Sequence, residues 1–259
     1  MIPLKDNIRL AHVPIITIAL VLANIVAYLL ASSHGGSIIS GPTNETLVHS
    51  GAIPYEFAHL GQHCDLGLSG FGQRVLCTGQ AGVAGTPGPQ PPTWETAFTA
   101  MFLQTNVLVL AIAVLFLTIF ATTVENAMGR ARFACFYLLG GLTALAVQIA
   151  LAPNSSDPTL GAAGAIAAVL GAYIVLYPRA RILTVAIVPF FLGPVEVPAW
   201  AMVVLWFAIE AALGALGLTA PLGASSAITY YAQIGGVSFG LLVVRAFAPR
   251  RSVELAAGH

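Results

Sequence analysis

The sequence predicts an all-α membrane protein built from six transmembrane helices. Three observations carry that expectation. Only 8% of the 259 residues are charged while 58% are hydrophobic, and the mean hydropathy is +0.88, a balance that marks an integral membrane chain. Six apolar runs each approach the roughly 20 residues needed to cross a bilayer. The basic residues, finally, segregate to one side of those runs.

The runs fall at about 13 to 32, 98 to 120, 132 to 151, 160 to 177, 198 to 218 and 229 to 247. The first is too long, and lacks a convincing small-residue cleavage site after it, to be a removed signal peptide, so it reads as a retained helix. The connection at 33–97 is polar, carries Glu45, Glu56, Asp65 and Glu95, and ends in a Gly/Pro-rich stretch from Gly85 to Glu95. That stretch cannot span and reads as an extended, partly polyproline connector. Between the fourth and fifth runs, Ile182 to Val197 is apolar but interrupted by Pro189, Gly193, Pro194 and Glu196. It is short for a crossing and reads as an interfacial or re-entrant element. The chain thus divides into an N-terminal helix and outer loop at 1–97, a helical core at 98–248 and a tail at 249–259.

Lys5, Arg9, Arg130, Arg132, Arg179, Arg181, Arg245, Arg250 and Arg251 lie in or beside the N-terminal tail, the second and fourth connections and the C-terminal tail; only Arg74 lies in the first connection. A nine-to-one split puts both termini in the cytoplasm and 33–97 outside, in a multi-pass plasma-membrane protein. No basic patch with interleaved aromatics exists, so the expected surroundings are lipid rather than nucleic acid. No cofactor is expected.

The six histidines are His12, His34, His49, His59, His63 and His259, and the only lysine is Lys5. The five later crossings therefore contain no base for serine catalysis. Cys64 and Cys77 share the outer loop, where a disulfide would close a short loop worth about 3 kcal/mol in the chain-entropy model. The alternative is a metal site adding His59, His63 and Asp65, but the set matches no zinc spacing and the expectation is no metal. Cys135 reads as a small packing residue of the third crossing. Glu210 is an acid deep in a crossing: either a neutral carboxyl hydrogen-bonded in the bundle, the reading favoured here, or a transport site.

Two segments go further. Leu160-Gly161-Ala162-Ala163-Gly164 and Ala232-Gln233-Ile234-Gly235-Gly236 stand at or near the start of apolar runs, and they resemble the Gly-x-Ser-Gly and Ala-His-x-Gly-Gly-x-x-x-Gly segments of the rhomboid intramembrane serine proteases. Thr123-Val124-Glu125-Asn126-Ala127-Met128-Gly129, Tyr177-Pro178-Arg179-Ala180-Arg181 and Leu205-Trp206-Phe207 match the family in order. The likeness is firmest from Pro91 to Phe247, and the start of the chain is most similar to bacterial, especially actinobacterial, members.

The resemblance implies a six-helix rhomboid-like bundle, but the nucleophile position holds Ala163 and the base position Gln233. On the second helix, Gln104, Val109 and Ala113 stand where the family has His, His and Asn around the oxyanion. A methyl group cannot attack a carbonyl, and a carboxamide has no useful proton affinity near neutral pH. Gly161, Gly164 and Gly171 on one helix, and Gly235, Gly236 and Gly240 on the other, retain the small-residue spacing that brings helix backbones together. The expectation is an inactive homologue that binds transmembrane segments of other membrane proteins. The alternatives are an active endopeptidase with a displaced nucleophile at Ser155, Ser156, Ser225 or Ser226, and a transporter centred on Glu210.

Overall fold

The computed structural model describes residues 2–6, 8, 12–69, 72–80, 83, 91–188, 191–216 and 226–248. Helices dominate, and two small sheets correct the all-α expectation. Strand β1 (Ile2–Asp6) leads into α1 (Ile15–Ser33), and the outer loop then folds as α2 (Asn44–Ser50), α3 (Pro54–Ala58) and the hairpin β2 (Cys64–Ser69) and β3 (Gly72–Cys77). After α4 (Thr93–Thr99) the second long helix runs as α5 (Val107–Phe116), a π turn at Leu117–Ala121 and α6 (Thr122–Met128). The remaining elements are α7 (Arg130–Leu151), α8 (Ala163–Leu176), the hairpin β4 (Arg181–Val188) and β5 (Phe191–Pro198), α9 (Ala199–Ala215) and α10 (Ser226–Phe247).

By length and composition, three helices among the described residues can cross a membrane: Ile15–Ser33, Val107–Met128 and Arg130–Leu151. Two shorter apolar helices, Ala163–Leu176 and Ala199–Leu213, accompany them. The second crossing begins nine residues later than the apolar run suggests. Asn106 explains the shift, because its side chain accepts the N–H groups of Leu108 and Val109 and so caps the helix there. Residues 100–105, upstream of that cap, instead form turns.

The segment 182–197 is a β-hairpin, paired along its full length from Arg181↔Pro198 to Val188↔Phe191. β1 adds to its free edge with Ile2 opposite Val185, giving the sheet order β1-β4-β5. Its β-branched alternation favours strands, and the antiparallel return leaves α8 and α9 joined at one end of the bundle. The loop from 34 to 80 folds as helices and a hairpin; of the stretch read as a connector, residues 85–90 lie outside the described residues and residues 93–95 open α4. Cys64 and Cys77 face each other across the β2–β3 ladder and are joined by a disulfide, packed with Val48, Ile53 and Tyr55.

The core is centred on α8, whose residues from Ala165 to Tyr173 are all buried. With apolar residues on every face, this helix has no stripe to give to solvent. Aromatic contacts knit the bundle: Phe120 meets Tyr173 of α8 at 5.0 Å between ring centroids, and Phe116 of α5 meets Trp206 of α9 at 4.5 Å. Lipid offers no hydrophobic gain for helix association, so packing contacts of this kind carry the bundle. Cys135 is exposed on α7, correcting its assignment to interior packing.

Candidate functional site

At 14 residues α8 is about 21 Å long, shorter than a roughly 30 Å hydrocarbon layer. Its first residue is Ala163. The shortfall is filled by the outer loop: Ala52 pairs with Thr159, the Tyr55 N–H donates to the Ser155 carbonyl and the Gly161 N–H donates to the Ala100 carbonyl at 2.8 Å. Gly161 makes the turn into α8 with φ of 85°, a conformation natural to glycine. A Cβ there would also stand 2.9 Å from the Gln104 Oε1.

α8 and α10 pack backbone to backbone. A Cβ on Gly236 would collide with the Gly164 carbonyl, and one on Gly171 would lie 2.5 Å from the Val237 carbonyl oxygen. Gly240 meets the Ala168 carbonyl in the same fashion, while Gly164 and Gly235 face the Ala144 and Val147 side chains of α7. This close approach sets the turn carrying Ala163 against the turn carrying Ala232 and Gln233. Between them lies a cavity of about 30 Å³, lined by Ala97, Ala100, Met101, Gly141, Ala163 and Ala232 among others. One water would fill it, and its wall of methyls and methylenes offers such a water few partners.

Gln233 is fully buried, and neither of its amide atoms makes a well-formed hydrogen bond. The Glu210 carboxyl of α9 lies against it, projected by the inward stripe Met202, Trp206, Glu210 and Leu213. The Trp206 indole N–H on that stripe is also unpartnered. None of the buried polar side chains among the described residues is basic.

Gln104, buried in the loop before α5, donates its amide to the Asn24 Oδ1 at 2.9 Å, while Asn24 donates to the Leu20 carbonyl. One of its two amide hydrogens is thus committed to holding α1. Val109 is half-buried in the first turn of α5, and Ala113 is buried in the core. Ser155 lies in the outer α7–α8 connection, its hydroxyl accepting the Asp157 N–H. Ser156 is its neighbour, while Ser225 and the Ser226 side chain fall outside the described residues.

The outer-loop histidines separate into pairs. His59 stacks on Tyr55, His49 faces Asp65 at 3.4 Å and His63 lies 4.0 Å from Glu56. Among the described residues no three His, Cys, Asp or Glu side chains gather to hold a metal ion. Glu56 is buried, and desolvation raises its pKa against the lowering influence of the Cys64 N–H it accepts and of His63 and His49.

Asn24, Asn106 and the Glu125 contact with α1 were not singled out from the sequence as functional positions. The Thr105-Asn106 pair directly before an apolar run was a legible capping signal, whereas Asn24 inside an apolar helix gave no indication of its partner. A family model for the rhomboid domain matches residues 91–250, more than half of the chain. No curated protein matches it.

Proposed function

The chain belongs to the rhomboid family, and from that premise we propose that it is a proteolytically inactive member that binds transmembrane segments of other membrane proteins. One observation supports the reading: Ala163 and Gln233, which align with the family's catalytic Ser and His by sequence resemblance, lie on two helices held together by close glycine contacts. The retained contact would align a dyad that the side chains cannot supply. Gln104, in turn, has one of its two amide hydrogens turned to Asn24, which ties its side chain to α1. We take α1, α5–α6, α7, α8, α9 and α10 as six crossings, with both termini cytoplasmic in the plasma membrane, on the distribution of the ten basic residues. No observation favours a displaced serine, which would need a base, or transport through Glu210, which has no buried basic partner.

The test joins binding to chemistry. Photocrosslinkers placed at Val204, exposed on α9, and at Leu29, exposed on α1, are challenged in membranes with single-span reporter proteins of defined sequence. The expected result is crosslinking from Val204 above that from Leu29, with no reporter cleavage and no labelling by a serine-directed fluorophosphonate. Cleavage or labelling of the unaltered chain overturns inactivity; equal, sparse crosslinking from both positions overturns the binding role.

A further inference from the structure

The bundle end that carries Arg130 and Arg132 contains a second and larger cavity, of about 360 Å³. Residues 12–14, leading into α1, form one wall; Glu125, Asn126, Gly129 and Arg130, at the α6–α7 corner, form the other. This volume falls within the roughly 300–1,000 Å³ typical of ligand pockets. We propose that it binds the phosphate headgroup of an anionic phospholipid.

The wall's acid is already occupied. The Glu125 carboxylate accepts the Ile16 N–H, the Thr17 N–H and the Thr17 hydroxyl, and the Asn126 Oδ1 accepts the His12 N–H at 3.2 Å. Arg130, by contrast, is exposed and has no salt bridge or hydrogen bond among the described residues. Arg132 stands two residues on, also exposed. Both arginines open α7, whose first turn holds no acid and has no side-chain cap. Cations at the positive end of a helix repel its dipole, and Glu125 offsets only one of the two arginine charges, so this corner keeps a net positive charge that a bound anion would neutralise. A guanidinium fork suits the paired oxygens of a phosphate.

The surroundings select a lipid over a soluble anion. Val13, in the cavity wall, is largely exposed, and Ile18, Leu22 and Val26 continue an exposed apolar stripe along α1 at helical spacing. An acyl chain can follow that stripe while its headgroup occupies the cavity.

Native mass spectrometry of the purified full-length chain tests this with phosphatidylglycerol and phosphatidylcholine of matched acyl chains. Phosphatidylglycerol should be retained preferentially. Arg130→Ala should weaken that retention about tenfold or more, the loss of a charge-assisted contact, with phosphatidylcholine unaffected. Arg130→Lys should keep part of it, and Arg245→Ala, an exposed arginine remote from the cavity, should keep all of it. Equal losses from Arg130→Ala and Arg245→Ala, or equal retention of both lipids, would show diffuse surface charge and overturn the proposal. Displacement of phosphatidylglycerol by inorganic phosphate alone would assign the cavity to a soluble anion and overturn the lipid reading.

Discussion

Thr17 donates both its backbone N–H and its hydroxyl to the Glu125 Oε2, each at 2.7 Å, and thereby fastens the start of α1 to the last turn of α6. Ile16 adds its N–H to the other carboxylate oxygen at 3.0 Å. Glu125 thus satisfies helix-start donors that no residue of α1 itself can reach: Pro14 occupies the N-cap, and the first turn of α1 is without an acid. Glu125→Ala should lower stability by about 2–3 kcal/mol, as expected for charge-assisted bonds lost inside a buried site. Glu125→Gln, which keeps an acceptor, should cost less. Thermal unfolding in detergent gives the comparison, and equal stability of Glu125→Ala and the unaltered chain would refute the role.

The α8–α10 contact makes a second prediction. Gly236 has the Gly164 carbonyl where a side chain would begin, so Gly236→Ala must push two backbones apart. The expected loss is about 1–3 kcal/mol, the range for overpacking in a tight core. Gly61→Ala is the control for substitution away from helix packing, because that glycine has open space around it and pays only for its φ of 83°. A larger loss at Gly61 than at Gly236 would contradict the packing argument.

How far the sequence leads is clearest from such pairs. The glycines at 236 and 240 were legible as a close-packing pattern because small residues at four-residue spacing share a helix face. The start of the second helix is harder to read, because the apolar stretch at 100–103 precedes the polar break Gln104-Thr105-Asn106, and it is the Asn106 cap that marks the boundary. The β4–β5 hairpin was legible as a break between crossings but not as strands, since its prolines and apolar residues fit a re-entrant loop equally well and its pairing with β1 spans about 180 residues of chain. Gln104 was identified as a position, but its commitment to Asn24 could not be read, because that bond is tertiary.

The outer hairpin should respond to pH through Glu56. Burial raises the folded-state pKa of this carboxyl above its ordinary value of 4.5, so the folded state holds the proton more tightly than the unfolded chain does. Stability from this group is therefore fully present below the ordinary value and is lost as pH rises through the raised one. Hydrogen exchange across residues 64–77 should quicken over that interval beyond its intrinsic pH dependence. Glu56→Gln should flatten the excess, and an undiminished response in that variant would exclude Glu56 as its source.

The disulfide predicts a local effect of reduction. Cys64 and Cys77 are 13 residues apart and buried, a loop for which cross-linking contributes roughly 3 kcal/mol in the chain-entropy model. Reduction should loosen β2–β3 and its packing on Val48, Ile53 and Tyr55, while the helical bundle, which shares none of those residues in its core cluster, keeps its melting transition. Limited proteolysis before and after reduction, followed by circular dichroism, separates the two. Collapse of the whole helical signal on reduction would show that the hairpin is integral to the bundle.

Restoring the dyad should yield chemistry of a limited kind. Ala163→Ser adds one oxygen beside a cavity of about 30 Å³, which has room for it. Gln233→His places an imidazole against the Glu210 carboxyl, a group able to orient it as an acid orients the base in serine hydrolases. The oxyanion side remains deficient, with Val109 and Ala113 apolar and the Gln104 amide tied to Asn24 by one of its two hydrogens, and the loss of one oxyanion donor alone typically costs 10²–10³ in rate, on the order of 3–4 kcal/mol. The double variant should therefore label slowly with a fluorophosphonate, and neither single variant should label. Adding Glu210→Gln should depress labelling further by removing the carboxyl that would orient the imidazole. Labelling of Ala163→Ser alone at the rate of the double variant would mean that a base other than the residue at 233 serves this site, and the account of Gln233 as the decisive absence would fall.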